Sequence, residues 1–169
     1  MSAIDALAIR RATPEDLDAV DALFKASYPA LLRADYPPSV FVTSIPVIAR
    51  AQPALLDSGT FFLAEAEGDV VGAGGWSIAA PGQRAGRAGI GHVRHVVTDH
   101  TRIRRGIGRA LLGRVAADAA EWGVTELRCQ STLTAVPFYR ALGFVEVGPI
   151  SVELPRGIAF PAVLMRRSL

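Results

Sequence analysis

Cysteine is almost missing from this chain. Among 169 residues only Cys129 carries a thiol, so no internal disulfide can form and a reducing cytoplasm is the expected setting. Lysine is nearly missing too. Lys25 stands alone and alanine follows it, which removes the Gly-Lys-Ser/Thr element a Walker-type phosphate loop needs. No apolar run is long enough to span a bilayer, and Asp5 precedes any apolar segment, unlike a signal peptide; no membrane partner is expected. There is no Cys pair, and the three histidines lack a carboxylate at ligand spacing on a helix, so no metal site is expected. Internal repeats and low-complexity tracts are absent, and nothing marks a domain boundary. Residues 1–169 therefore read as one domain, long enough to bury a core. Half of the residues are hydrophobic, which argues against disorder.

What is abundant is arginine, and it is unevenly placed. Residues 84–114 hold eight arginines against one acid, Asp99, whereas residues 1–70 hold ten acids against five bases. A positive patch of this kind suits an anionic ligand. The patch surrounds Arg104-Arg105-Gly106-Ile107-Gly108-Arg109. Gly91 to Thr98, rich in β-branched residues, reads as a strand before it. Ile107, Leu111, Val115, Ala119 and Trp122 recur after it at helical spacing, over a helix from Arg104 to Trp122 that Gly123 ends. Free N–H groups and the positive end of the helix dipole meet at this first turn. Glycine lets a ligand approach the backbone. Together these features describe a site for a phosphate or pyrophosphate. A Rossmann fingerprint is a weak alternative, because position 111 is Leu where a third glycine is required.

The loop also resembles the signature Gln/Arg-x-x-Gly-x-Gly/Ala of the Gcn5-related N-acetyltransferase (GNAT) superfamily, with Gly106 and Gly108 as its glycines. Ile103 stands where that family has Gln or Arg, and arginines follow at Arg104 and Arg105 instead. The order strand, basic glycine loop, helix, strand, then Phe138-Tyr139-Arg140-Ala141-Leu142-Gly143-Phe144 strengthens the likeness, which is close over residues 60–148 and loose before them. It implies a mixed α/β fold: a mostly antiparallel twisted sheet of six or seven strands, splayed between the fourth and fifth, flanked by about four helices. It also implies acetyl-CoA as co-substrate, with pantetheine contacts at Val96, Val97 and Thr98. The pyrophosphate contacts fall at Arg104, Arg105, Gly106, Ile107, Gly108 and Arg109.

The rest of the chain fits this order. Ala6 to Arg11 reads as a first strand. Thr13-Pro14-Glu15-Asp16 opens a helix as cap, N1 proline and acidic turn, carried on by Leu17, Val20, Leu23, Phe24 and Ser27. Residues 28–59 contain the break Tyr36-Pro37-Pro38 and a segment from Ser39 to Arg50 that Pro46 would kink; they read as a pocket wall. Thr60–Glu67 and Val70–Ala79 make a hairpin around Gly68-Asp69. Gly74 and Gly75 mark a close approach. Trp76 belongs either to the acceptor site or to the core. Pro81–Gly89 is a glycine-rich loop. Glu126–Thr132 alternates as a strand, with Cys129 a buried thiol. Thr134–Leu142 is a short helix, Phe144–Val147 begins a strand, and Val152–Leu154 with Ala159–Met165 supply a last hairpin arm.

The resemblance implies N-acetyl transfer by direct attack in a ternary complex. Tyr139 matches the family tyrosine whose hydroxyl lies near the coenzyme sulfur and acts as the acid. Its other reading is a tyrosine packed against the sheet. His92 takes the place where some branches carry a Glu or His base, and a histidine titrates near neutrality; it could equally be a strand residue without a role. Strand alternation sends His95 to the opposite face. Glu65, Glu67 and Asp99 are spare carboxylates, and His100 meets phosphate or solvent. The acceptor is an amine of a small molecule or a peptide. Family members are often dimers, so a homodimer stays open. Two rivals remain: a non-catalytic acyl-CoA-binding module, and a basic nucleic-acid-binding domain. The second is disfavoured, since no aromatics interleave the arginines and no nucleic-acid motif is present, so no nucleic-acid partner is expected.

Overall fold

The computed structural model describes residues 7–169. Seven strands form one sheet in the order β1-β2-β3-β4-β5-β7-β6. They are β1 (Ala8–Arg11), β2 (Phe61–Ala66), β3 (Asp69–Ser77), β4 (Ile90–Thr98), β5 (Glu126–Thr132), β6 (Val145–Leu154) and β7 (Ile158–Ser168). Every neighbouring pair is antiparallel except β4 and β5. The helices are α1 (Leu17–Leu32), α2 (Pro38–Ile48), α3 (Pro53–Leu56), α4 (Ile107–Glu121) and α5 (Val136–Ala141). Ala6, the expected start of the first strand, lies outside the described residues.

Two apolar layers clamp the sheet. On one face α4 sets Ile107, Leu111, Leu112, Val115 and Ala119 against Phe62, Val71, Trp76 and Leu127, with Tyr139 and Phe144 beside them. On the other, α1 brings Val20, Leu23, Phe24 and Tyr28 onto Phe61, Leu63, Ala73 and Val97. Each fully buried aliphatic or aromatic side chain in these layers contributes about 1.5–3 kcal/mol.

Several boundaries differ from the expected ones for physical reasons. Pro14–Asp16 forms a 3-10 turn before α1. The helix runs past Ser27 and through Pro29 to Leu32, because Tyr28 and Leu32 continue its buried stripe. Helix α2 begins at Pro38 behind Pro37 rather than at Ser39, and it contains Pro46. Helix α4 begins at Ile107; Arg104 and Gly106 have positive φ and belong to the loop. Trp122 leaves the apolar face of α4 with 64% of its surface exposed, touching the edge of Trp76. Strand β6 crosses Gly148-Pro149 without a break, after a register shift between Glu146 and Gly148. As an edge strand it tolerates a proline that cannot donate to a ladder.

Candidate functional site

The site begins where the sheet separates. Strands β4 and β5 pair only at Ile90↔Glu126, Gly91↔Leu127 and His92↔Arg128. Beyond Val93 the β5-facing backbone groups of β4 have no ladder partner on that side, so an extended chain could bond there as an added strand. On the β3 side, pairing shifts register between Ala73 and Gly75. A bulge forms, with His95 in the left-handed region at φ 49°. Gly74 makes room for it, because a Cβ there would stand 3.0 Å from Val96 Cγ2.

This bulge corrects the reading of the histidines. In a regular strand His92 and His95 would diverge. The extra residue turns His95 onto the α1 face, the side His92 already occupies. The His95 ring stacks on Phe24 at 5.0 Å, and its Nδ1 lies 2.8 Å from the Tyr28 hydroxyl. Burial, with Arg94 adding repulsion, lowers its pKa to about 4. His92 is lowered by burial first and then by Arg128 and Arg94. Both imidazoles are therefore neutral at pH 7.

Tyr139, near the middle of α5, is buried from the other face. Its hydroxyl lies beside the Cys129 thiol and near Tyr28. Burial raises Tyr139 well above the usual phenol value and pushes Cys129 up to about 12. Cys129 is thus a protonated thiol, and Tyr139 remains a hydrogen-bond donor at any physiological pH. His95, Tyr28, Tyr139 and Cys129 form a buried group at the split between β4 and β5. The Tyr28–His95 pair was not legible in the sequence, since 67 residues separate its members.

At the open end of the split lies the turn into α4. Gly106 caps the helix with φ 82°. A non-glycine residue in that region costs roughly 1–2 kcal/mol. Ala110 is the first residue whose N–H reaches a carbonyl of the turn, Gly106 O at 3.0 Å. The N–H groups of Ile107, Gly108 and Arg109 precede it and have no acceptor within the helix. Among the described residues Arg104, Arg105 and Arg109 form no ion pair, so their charge is available to an anion. Arg102 differs, sitting 3.7 Å from Asp69 and 3.6 Å from Asp99. Ile103 is exposed and makes no polar contact. Gly108 has a packing role of its own: a Cβ there would meet Phe138 Cε2 at 3.0 Å and Thr98 Oγ1 at 3.4 Å. Val96 packs toward α4 and Val97 toward α1, leaving their β5-side backbone clear.

Other expected residues are placed elsewhere. Trp76 belongs to the core, 2% exposed, with Nε1 donating to Asp118 Oδ2 at 2.8 Å. Asp118 also accepts from Arg11 Nη2 at 2.8 Å, an anchor with no sequence signal. Glu65 is held by Arg10 at the β1–β2 edge, and Glu67 lies in the β2–β3 turn; neither reaches the split. His100 faces α1 rather than the anion turn, its backbone N–H donating to Ser27 Oγ at 3.3 Å. In the segment 28–59, expected to form a pocket wall, Tyr36 is buried and stacks on Phe160. Its hydroxyl donates to Pro161 O at 2.8 Å and accepts from Leu133 N at 2.9 Å, fastening the α1–α2 connection over β5 and β7.

A split β4–β5 pair, a helix N-terminus with free amides and unpaired arginines at its mouth, and a buried tyrosine from the following helix make a recognisable combination. Solved structures share the fold over nearly their whole length. A GCN5-related N-acetyltransferase from Rhodopseudomonas palustris superposes with a TM-score of 0.76 at 22% identity, covering 97% of this chain and 96% of that one. The PaiA N-acetyltransferase from Thermoplasma acidophilum, solved in complex with coenzyme A, gives 0.70 at 15% identity, covering 97% and 99%. The ribosomal-protein-alanine N-acetyltransferase from Brucella melitensis gives 0.64 at 23% identity, covering 96% and 99%. No curated protein sequence matches the chain. No helix among the described residues is long and apolar enough to cross a membrane. The profile of the acetyltransferase (GNAT) domain matches residues 57–146, more than half of the chain, and the chain belongs to the GNAT family.

Proposed function

We propose that this chain is an acetyl-CoA-dependent N-acetyltransferase acting on a primary amine by direct attack in a ternary complex. One observation carries the reading: the unpaired amides of Ile107, Gly108 and Arg109 open at the mouth of the β4–β5 split, beside Arg104 and Arg105. A diphosphate on those amides would direct its pantetheine arm along the free edge at Val96, Val97 and Thr98. The donor supplies an activated acetyl thioester. The protein's own part is to hold that group against the amine, which can supply several kcal/mol of the barrier, and to move protons.

His92 is assigned as base. A neutral imidazole can accept the proton that the amine nitrogen must lose as the C–N bond forms. Tyr139 is assigned as acid, its hydroxyl donating toward the sulfur as the C–S bond breaks. A raised pKa keeps the hydroxyl protonated, so it is available to donate to a thiolate and is an unwilling nucleophile. Cys129 is held as a thiol, which argues against an acyl-enzyme. The 169 residues are taken as a single acetyltransferase domain, soluble and cytoplasmic. Thermal-shift titration with acetyl-CoA tests the binding half, and thiol release over an amine library tests turnover. Binding without release from any amine would favour a non-catalytic acyl-CoA module. Steeply salt-dependent binding to DNA or RNA with no response to coenzyme A would overturn the assignment.

A further inference from the structure

Beside His92 lies a group of cations with too few carboxylates to neutralise them. Backbone register places His92 opposite Arg128 on β5, and Arg128 opposite Arg166 on β7. Residues in lateral register share a sheet face. Leu127, Cys129 and Met165 belong to the α4 layer, so Arg128 and Arg166 lie on the α1 face with His92. Arg94, two residues along β4, joins them, with Nη1 donating to Ser77 Oγ at 3.1 Å. Arg128 is held by Glu126 at 2.6 Å, and Arg166 lies 4.0 Å from the same carboxylate. Arg94 is the unusual member. It is partly buried, burial lowers its pKa, and among the described residues no carboxylate pairs with it. The loop joining β3 to β4 adds Arg84 and Arg87 and contains no acid.

A guanidinium withdrawn from water without a counter-ion is costly. Its planar fork matches a carboxylate in two parallel hydrogen bonds. A substrate carboxylate would offset that cost, and a cationic polyamine would meet repulsion from three arginines around one Glu. We infer that the acceptor is an amine bearing a carboxylate close to its nitrogen, with Arg94 as the group that fixes the carboxylate and Arg128 and Arg166 biasing the approach. This rests on the transferase reading above, with the amine delivered at His92. Two sources share this chemistry: a free amino acid, and a peptide whose N-terminal residue is acidic.

The test has a kinetic and a binding arm. In the first, thiol release from acetyl-CoA is followed with glycine, aspartate and glutamate, with their carboxamides, with a short peptide beginning with aspartate, and with spermidine. Carboxylate-bearing amines should exceed their amides in kcat/KM by about ten- to a hundredfold, as expected when a charge-assisted pair is lost. Arg94→Met should raise their KM by a similar factor and leave the KM for acetyl-CoA in place, while Arg94→Lys should recover part of the loss. Free amino acid and peptide are separated by which has the higher kcat/KM. In the second arm the same amines are titrated calorimetrically into the protein saturated with coenzyme A. Binding of carboxylates that Arg94→Met abolishes, without turnover of any amine, would sink the catalytic assignment and keep this one. The proposal is overturned if spermidine or the amides match the carboxylates, if Arg94→Met leaves their KM unchanged, or if no carboxylate-bearing amine binds at millimolar concentration.

Discussion

Gly108→Ala tests how the turn proposed to bind the diphosphate is built. The added methyl would stand 3.0 Å from Phe138 Cε2 and 3.1 Å from Cζ, whereas ordinary carbon contacts lie at about 3.5–4.0 Å. The ring must therefore give way by a few tenths of an ångström. Overpacking of this size costs about 1–3 kcal/mol. Alanine returns about 0.5–1 kcal/mol in the first turn of a helix. A net loss of between about 0 and 2.5 kcal/mol should remain, and at about 2–4 °C per kcal/mol for a chain of this length Tm should fall by up to about 10 °C. The mechanism is isolated by a double-mutant cycle with Phe138→Leu. The pair should cost less than the sum of the single changes, with a coupling of about 1 kcal/mol. A second arm separates packing from ligand binding: Gly108→Ala should keep most of the Tm gain given by acetyl-CoA, whereas Gly108→Glu, with a carboxylate among the amides, should lose it. Additive single changes would show that Phe138 does not pack on the turn. An undiminished acetyl-CoA effect in Gly108→Glu would show that the diphosphate binds elsewhere.

Four further outcomes follow. Tyr139→Phe should lower kcat at least tenfold with little change in acetyl-CoA binding; an unchanged kcat removes the acid assignment. In the wild type, kcat/KM should rise with pH as His92 loses its proton, with a midpoint below the ordinary 6.5 because burial, Arg128 and Arg94 oppose its charge; His92→Ala should abolish that limb. His95, lowered from 6.5 to about 4 in the folded state, binds a proton in the unfolded chain before the native one. Stability should therefore fall as pH drops from 6.5 towards 4, by about 3 kcal/mol at most. His95→Asn, which tolerates the left-handed backbone, should remove this part of the acid sensitivity in urea titrations. Asp118→Ala strands the buried Trp76 Nε1–H and frees Arg11, and should cost about 2–4 kcal/mol in the same titrations; a loss below about 0.5 kcal/mol would deny Asp118 its anchoring role.

Much of the fold was legible because it is written in local pattern. The alternation of Glu126–Thr132 gives β5 to the residue, and the apolar spacing from Ile107 to Ala119 gives α4. The Gly106–Gly108 turn declares itself by composition. The split itself came from family resemblance, since no local pattern encodes which two strands part. The illegible features depend on contacts between distant segments. Gly91–Thr98 carries no mark of a bulge, because the bulge is set by Gly74 on the neighbouring strand and by Phe24 and Tyr28 from α1. Trp76 could not be assigned until Asp118, 42 residues away, supplied its acceptor. The continuation of α1 through Pro29 follows from burial of Leu32, which outweighs one missing hydrogen bond.

The bulge and the split belong to one structural event. A bulge sharpens the twist of its strand, and His95 lies three residues beyond the last paired position of β4, His92. Past that point β4 and β5 no longer pair, and Tyr28 from one face and Tyr139 from the other are buried near the opening. Their hydroxyls would be costly to bury in an apolar sheet. Here Tyr28 meets His95, and Tyr139 meets Cys129. The opening is thus lined by partnered polar groups instead of collapsing into apolar packing, and unpaired β4 amides remain along its edge. A residue that straightened β4, such as valine at His95, should therefore do more than remove one imidazole. It should favour further β4–β5 pairing beyond His92↔Arg128, lower acetyl-CoA affinity from a position remote from the diphosphate turn, and increase hydrogen-exchange protection of Val96 and Thr98. Unchanged protection together with unchanged affinity would separate the bulge from the opening and leave the split to be explained by the tyrosines alone.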